Sequence, residues 1–83
     1  SEIDSVYATV SSNVRKFREA KGFRQLDLAL EIDIKSVAFY SNCETNKYGK
    51  HFNIEHLYKI AKVLECDICE FFKPIDIPTQ SVS

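Results

Sequence analysis

Apolar residues recur every three or four positions along the first twenty residues of the chain, at Ile3, Val6 and Tyr7, Val10, Val14 and Phe17. This spacing places them on one face of an α-helix and predicts a helix over about Asp4–Ala20. Asp4 or Ser5 can cap its start. Lys21 and Gly22 supply a cationic last turn and a residue that takes the left-handed conformation readily, so we expect the helix to end there.

Shorter helices are predicted after Gly22. The second covers about Gln25–Ile32, and its buried face consists of Leu28, Ala29 and Ile32. The third covers about Ser36–Cys43 and ends near Asn46, a residue that tolerates the left-handed conformation. A polar loop, Thr45–Phe52, separates it from the fourth helix.

The fourth and fifth helices have their own start signals. Asn53 caps the fourth, whose inner face carries Ile54, Leu57, Ile60, Ala61 and Leu64. The segment Asp67-Ile68-Cys69-Glu70 resembles a capping box that opens a short fifth helix ending at Phe71-Phe72, where Pro74 stops it. The predicted fold class is all-α, an orthogonal bundle of five helices with short connections.

The length of 83 residues allows one hydrophobic core. We expect one domain over residues 1–73 and a tail over residues 74–83. Two Gly and two Pro argue against a sheet-and-turn architecture, and no apolar run approaches the roughly 18 residues of a membrane span. The acidic start is not the pattern of a signal peptide. Three cysteines are an odd number and form no disulfide framework, so a cytoplasmic location is expected.

Charge is distributed unevenly along the chain, although the net charge is only −1. The segment 14–50 carries eight basic and five acidic residues, and the remainder carries three basic and seven acidic ones. A phosphate-bearing partner responds to the local field, so this polarity favours nucleic-acid binding by the middle of the chain. An ordinary mixed-charge surface is the alternative.

Three motifs in the expected order resemble the lambda-repressor/Cro-like (XRE) helix-turn-helix family. They are Gly22-Phe23-Arg24-Gln25-Leu26-Asp27-Leu28-Ala29, Ser41-Asn42-Cys43-Glu44-Thr45-Asn46 and Leu57-Tyr58-Lys59-Ile60-Ala61-Lys62-Val63-Leu64. The resemblance implies that helices two and three form a helix-turn-helix and that the protein is a transcriptional regulator binding double-stranded DNA. Asn46, where Gly is commoner, and the small size are similar to controller proteins of restriction–modification systems, which would make it a repressor or activator of such genes.

The chain departs from the family pattern at several turns. Arg24 replaces the Ser or Thr that normally caps helix two, which forfeits roughly 1 kcal/mol of capping. Asp33 replaces the turn Gly, and Glu65 replaces Gly at the end of helix four. One extra residue between Ile34 and Glu44 leaves the register of helix three open by one position.

Candidate base contacts follow when helix three is anchored on Glu44. Tyr40 and Cys43 then face inward, and the outward set that could read base edges is Ser36, Val37, Ala38, Ser41 and Asn42. Asn42 suits a bidentate contact to adenine, and Val37 could pack on a thymine methyl. Burial of Val37 in a shifted register is the alternative, and Phe39 either lies near the DNA backbone or fills the core.

Candidate phosphate contacts surround helix three and comprise Arg24, Gln25, Lys35, Thr45, Asn46, Lys47, Tyr48 and Lys50. The resemblance implies that Gln25, at the start of helix two, bonds a phosphate and steadies a recognition-helix side chain. A solvated polar loop is the alternative for residues 45–50. The resemblance also implies that Glu44 is buried, and Arg15 or Arg18 could pair with it in a structural role.

A homodimer on a pseudo-palindromic operator is expected, because one short helix reads too few base pairs for specificity. The predicted interface lies within Cys66–Ile75 and comprises Cys66, Ile68, Cys69, Phe71, Phe72 and Ile75. The alternatives are that both Phe side chains complete the core of one chain, or that Tyr7 and Val10 of the first helix supply the interface.

Competing functions have weaker support in the sequence. Cys66 and Cys69 form a C-x-x-C pair that Cys43 with His51 or His56 could extend to a zinc site. No strands flank it as a redox motif would require, and packing of the thiols is preferred. No catalytic constellation, cofactor or small-molecule ligand is expected. The main rival is a protein-interaction module such as an antitoxin.

Overall fold

The chain folds into four α-helices and two 3-10 segments in the computed structural model, which describes residues 1–75. The α-helices are α1 (Glu2–Ala20), α2 (Gln25–Glu31), α3 (Val37–Thr45) and α4 (Ile54–Leu64). The 3-10 segments are Lys47–Gly49 and Ile68–Phe72. No strand occurs within residues 1–75, so the predicted all-α class is confirmed.

The prediction of a fifth α-helix is wrong, because Ile68–Phe72 forms a 3-10 segment. Asp67 accepts a hydrogen bond from the backbone N–H of Cys69 at 2.8 Å, which caps the segment. The N–H groups of Glu70 and Lys73 donate to carbonyls three residues earlier. Such tighter turns suit a five-residue piece, which is too short to repay α-helix nucleation.

Helix α1 begins earlier than its sequence predicted. Ser1, and not Asp4 or Ser5, is the N-cap: its Oγ accepts from the backbone N–H of Asp4 at 3.4 Å. Two acidic residues in the first turn, Glu2 and Asp4, favour the helix dipole there. The end at Ala20 is as predicted, with Gly22 in the left-handed region at φ 75°.

Three turns use non-glycine residues in the left-handed conformation. Asp33 (φ 63°), Asn46 (φ 57°) and Glu65 (φ 58°) end α2, α3 and α4 respectively. Asn46 takes the left-handed conformation that its residue type was expected to tolerate, and Asp33 takes it in place of the turn Gly. Glu65 stands where the family has Gly and takes the same conformation at a steric cost.

The core lies where the four α-helices and the C-terminal 3-10 segment meet. Its buried apolar side chains are Val10, Val14, Leu28, Ala29, Ile32, Ile34, Tyr40, Cys43, Phe52, Leu57, Ile60, Ala61, Leu64 and Phe71. Asn13 of α1 donates to the carbonyls of Phe71 (2.9 Å) and Lys73 (2.8 Å), which ties the end of the domain to the first helix.

The expectation that Ile54 lies on the inner face of α4 is wrong, because it is 69% exposed at the first helical position. The apolar stripe of α1 extends past the core, since Ile3 and Val6 are exposed while Val10 and Val14 are buried.

None of the helices in residues 1–75 is long and apolar enough to cross a lipid bilayer. Of the predicted tail, Pro74 and Ile75 are exposed. Residues 76–83 lie outside the described part of the chain.

Candidate nucleic-acid interface

Helices α2 and α3 are joined by a tight turn that fixes their relative position. Ile32 and Ile34 are buried on either side of Asp33, whose left-handed backbone reverses the chain. The N–H of Ile34 closes the turn by donating to the carbonyl of Ala29 at 2.9 Å. Helix α2 packs directly against α3. This arrangement presents the outer face of α3 to solvent.

The register of α3 agrees with the one anchored on Glu44. Tyr40 and Cys43 are fully buried, whereas Ser36 and Ala38 are exposed and Ser41 and Asn42 are half-buried. Val37 is 42% exposed, so the alternative that it fills the core is wrong. The structure therefore brings the five candidate base-reading residues to the outer side of α3.

Ser36 and Phe39 have additional roles at the start of α3. The Ser36 Oγ accepts from the backbone N–H of Phe39 at 3.1 Å and so caps the helix. Its hydroxyl hydrogen remains available to donate. Phe39 is half-buried against the core and meets His56 edge-on, with ring centroids 6.1 Å apart.

A buried polar network fixes the other end of α3. The Glu44 carboxylate accepts from Arg18 Nε (2.9 Å) and Nη2 (3.0 Å), from the Tyr40 hydroxyl (2.7 Å) and from Gln25 Nε2 (3.0 Å). Arg18 Nη1 also donates to the carbonyl of Phe23 at 2.7 Å. The network joins α1, α2 and α3 around one carboxylate.

Arg18, and not Arg15, is the partner of Glu44. The Glu44 side chain is 1% exposed. Burial alone would raise the pKa of this carboxyl, but the hydrogen bonds from Arg18, Tyr40 and Gln25 outweigh it and hold the pKa below its usual value. The Arg18 pKa is raised, chiefly by its hydrogen bonds to Glu44. Arg15 instead pairs with Glu19 at the surface, with Nε 3.3 Å from Oε2.

Three of the basic side chains that form no ion pair with a described residue lie next to the ends of α3. Six of the eleven basic residues lie in ion pairs within residues 1–75: Arg15, Arg18, Lys21, Arg24, Lys59 and Lys73. Lys35, Lys47 and Lys50 form none with a described residue, and all three are exposed. Lys35 immediately precedes α3, and the other two follow it.

Three other predicted phosphate contacts are already engaged. The guanidinium of Arg24 holds Asp27 through Nε (3.0 Å) and Nη2 (2.8 Å), and this lowers the pKa of Asp27 to about 2. The Thr45 hydroxyl donates to the carbonyl of Ser41 at 2.8 Å. Asn46 Nδ2 donates inward to Ser11 Oγ (2.9 Å) and the carbonyl of Cys43 (3.2 Å). Thr45 and Asn46 thus have no side-chain hydrogen directed at solvent.

The segment after α3 carries an exposed aromatic ring on strained backbone. Tyr48 is 81% exposed and left-handed, at φ 55°. A bulky residue rarely takes this conformation unless its surroundings impose it. Gly49, at φ 67°, follows in the same region of backbone space without a steric penalty.

The predicted dimer residues divide between core and surface. The prediction that Phe71 lies in a dimer interface is wrong. Phe71 is fully buried against Phe17, with ring centroids 5.8 Å apart, and fills the core of one chain. Cys66 and Ile68 are half-buried against that core, and Cys69 is exposed. Phe72 and Ile75 are 46% and 55% exposed.

Phe72 borders an apolar groove that also involves α1 and α4. The groove has a volume of about 290 Å³ and is lined by Val6, Tyr7, Val10, Phe52, Asn53, Ile54, Leu57 and Phe72. Val6, Ile54 and Phe72 are substantially exposed along it. Tyr7 and Val10 of the first-helix alternative therefore line the same groove as Phe72 of the C-terminal prediction.

The cysteines do not assemble into a metal site within residues 1–75. No group of three or more His, Cys, Asp or Glu side chains there is arranged to hold an ion. Cys43 is fully buried among apolar side chains, and burial raises the pKa of its thiol. It acts as a small core residue.

A family model described as Helix-turn-helix matches residues 14–71, well over half of the chain. The chain belongs to the helix-turn-helix family. Membership supports the XRE-like fold and indicates a DNA-binding regulator from a non-catalytic family. No curated protein and no solved structure matches the chain significantly.

Sequence reasoning missed several contacts made by α1. Ser11 and Asn13 are buried polar residues that bond the end of α3 and the C-terminal segment. The Tyr7 ring stacks on His51, with centroids 3.6 Å apart and planes within 3°. Polar residues beside the α1 stripe were the one available signal, and they do not identify partners more than thirty positions away.

Proposed function

We propose that this protein is a sequence-specific transcriptional regulator that binds double-stranded DNA as a homodimer on a pseudo-palindromic operator. The observation that carries the proposal is the position of Lys35, Lys47 and Lys50, which are exposed, form no ion pair with a residue of 1–75, and lie at the two ends of α3. Lysines in this state attract phosphate, and the face of α3 between them bears no charge that would repel it.

Base readout is assigned to the outer face of α3. Asn42 offers an amide for a bidentate contact with adenine, and Ser36 and Ser41 offer hydroxyls. Val37, which is 42% exposed, suits the methyl group of thymine. A small, uncharged face allows close approach to base edges in the major groove.

Phosphate contacts are assigned to Lys35, Lys47, Tyr48 and Lys50, with Gln25 as a further donor. Gln25 Nε2 gives one hydrogen to Glu44 and retains a second. Arg24 is a weaker candidate for a phosphate contact, because Asp27 neutralises the charge of its guanidinium. Thr45 and Asn46 instead donate hydrogen bonds to backbone carbonyls of α3.

Dimerisation is assigned to the exposed apolar surface around Phe72 and Ile75, continuing to Ile3 and Val6 of α1. A two-fold interface uses the same patch on both copies, and two α3 helices then read two related half-sites. Control of restriction–modification genes in the cytoplasm is part of the proposal and rests on Asn46, which stands where Gly is commoner in the family and is similar to controller proteins.

Selection of bound duplexes from a random pool, followed by sequencing, tests the function directly. Wild-type protein should recover a motif with two-fold symmetry. The recovered duplex then serves in anisotropy titrations over a range of salt concentrations. Changing Lys35, Lys47 and Lys50 together to Gln should make the slope of log K against log salt less negative by roughly five, because the dimer loses six phosphate contacts, three from each protomer, and each removes about 0.9.

Lys16 and Lys62 provide the matched control, since they are also exposed and form no ion pair with a described residue. Changing both to Gln lowers the net charge but should leave most of the slope in place. Equal effects of the two sets of substitutions would contradict the assigned face. Failure to recover any duplex would favour the rival function, a protein-interaction module.

A further inference from the structure

The segment Asn46–Lys50, here called the loop, has an unfavourable backbone conformation that its own hydrogen bonds do little to stabilise. Asn46, Tyr48 and Gly49 are all left-handed, and two of them are not glycine. Within the loop, one backbone hydrogen bond closes a turn, from Lys50 N–H to the carbonyl of Lys47 at 2.9 Å. A conformation this unfavourable persists only where surrounding contacts impose it.

The start of the loop is held by Ser11 of α1. Asn46 Nδ2 lies 2.9 Å from Ser11 Oγ, and Ser11 Oγ in turn donates to the carbonyl of Cys43 at 2.9 Å. Ser11 is 3% exposed, so these bonds form away from solvent. They connect α1 to the residue that ends α3.

The end of the loop is held by Tyr7, one turn earlier on the same face of α1. The Tyr7 ring stacks on His51, and His51 directly follows Lys50. His51 Nδ1 also lies 3.3 Å from Asn46 Nδ2. An amide nitrogen donates and does not accept, so the two Asn46 amide hydrogens are shared among Ser11 Oγ, the Cys43 carbonyl and His51 Nδ1, and the bond to Nδ1 requires the ring proton of His51 to lie on Nε2.

We propose that Tyr7, Ser11 and His51 are positioning residues that clamp both ends of the loop and so hold Lys47, Tyr48 and Lys50 in place to bind DNA phosphate. The clamp rests on the proposed function, but its geometry can be tested without DNA. Because the clamp orders the loop before DNA binds, binding does not have to include the entropic cost of ordering it. A change that disorders the loop therefore weakens binding without removing a side chain that contacts DNA.

Two substitutions at Tyr7 separate stacking from other effects. Tyr7→Leu removes the stack and should weaken binding of the selected duplex about tenfold, since binding must then order the side chains of the loop. Its salt slope should stay close to that of wild type, because the same lysines neutralise the same phosphates in the complex. Tyr7→Phe keeps the ring and should bind like wild type. Equal binding by Y7L and wild type would overturn the clamp.

Two measurements by NMR do not depend on DNA or on the stability of a variant. In the wild-type protein at neutral to mildly alkaline pH, imidazole ¹⁵N shifts should place the proton of His51 on Nε2. Backbone ¹⁵N relaxation should report Lys47–Lys50 as ordered as α3. A proton on Nδ1, or a loop moving freely on the nanosecond timescale, would overturn the proposal, and neither result would bear on whether the protein binds DNA.

Discussion

Four hydrogen bonds from three side chains meet at the Glu44 carboxylate, and they decide how α3 is held. A buried carboxylate without partners would cost several kcal/mol. Here Arg18 supplies a bidentate pair, and Tyr40 and Gln25 occupy the remaining acceptor positions. The network also positions the Gln25 amide, so the same residues contribute to stability and to the proposed phosphate contact.

Removing Arg18 should leave Glu44 as a buried, uncompensated charge. We expect Arg18→Met to destabilise the fold by about 3–5 kcal/mol at neutral pH. Arg15→Met, which breaks the exposed pair with Glu19, should cost no more than about 0.5 kcal/mol. Urea denaturation of both variants measures the difference, and Arg18→Lys gives a milder comparison if Arg18→Met does not fold. Similar losses for R18M and Arg15→Met would contradict the buried network.

The same network predicts a dependence on pH. The folded-state pKa of Glu44 lies below its ordinary value of 4.5, so its stabilisation is complete above about that pH and is lost as the pH falls through the lower, folded-state pKa. In R18M, burial should raise the pKa of Glu44 instead. Protonation of Glu44 then removes the buried charge and restores part of the lost stability. The stability gap between wild type and R18M should therefore narrow in acid, and a constant gap would contradict this account.

At the scale of elements, α4 starts with a reciprocal cap between Asn53 and His56. Asn53 Oδ1 accepts from the backbone N–H of His56 at 2.7 Å, and His56 Nδ1 accepts from the backbone N–H of Asn53 at 3.0 Å. The His56 ring also meets Phe39 and Phe52 edge-on. Burial is the main cause of its lowered pKa, since neutral imidazole is favoured there.

His56 should make the stability of the fold fall in mild acid. Its pKa is lower in the folded than in the unfolded chain, where it is about 6.5, so its contribution is present above that pH and decreases as the pH falls through about 6.5. His56→Gln keeps an acceptor suited to a capping box but does not titrate. We expect the free energy of unfolding of H56Q to lie within about 1 kcal/mol of the wild-type value at alkaline pH, and to increase relative to the wild-type value in acid. Thermal denaturation across this range checks the difference, and a constant offset would exclude His56 as the cause.

The elements differ in how far the sequence determined them. The sequence predicted where α3 lies but left its register open by one position, and the register anchored on Glu44 is the one in which Tyr40, Cys43 and Glu44 are buried. The fifth helix was not, since the same capping and apolar signals suit a 3-10 segment when few residues are available. At the start of α1, Ser1 and Asp4 were both able to cap. The choice depends on hydrogen-bond geometry that composition does not contain.

At the scale of the whole molecule, contacts between distant segments could not be predicted from the sequence. Tyr7 and His51 are aromatic residues 44 positions apart, and nothing local indicates that they stack. Phe71 and Phe72 are adjacent and chemically identical, yet one is fully buried and the other 46% exposed. That division also determines which of the two is available to a second copy.

Exposed apolar side chains at one end of the bundle predict self-association. Ile3, Val6, Ile54, Phe72 and Ile75 are each at least 44% exposed, and the groove beside Phe72 measures about 290 Å³. Phe72→Lys should place a charge in this surface and shift the protein to monomer in sedimentation velocity over a wide concentration range. Leu30, 64% exposed on α2, is the matched control, and Leu30→Lys should leave association unchanged.

Loss of the dimer should also alter DNA binding in a specific way. A monomer with intact α3 keeps its half-site contacts but loses the coupling between half-sites, so F72K should bind the full operator much more weakly, while its affinity for an isolated half-site matches that of wild type. Disruption by L30K as strong as by F72K would place the interface on another face. A wild-type protein that stays monomeric at every concentration, both free and on the operator, would refute the dimer, while the base-reading role of α3 would still stand on its own tests.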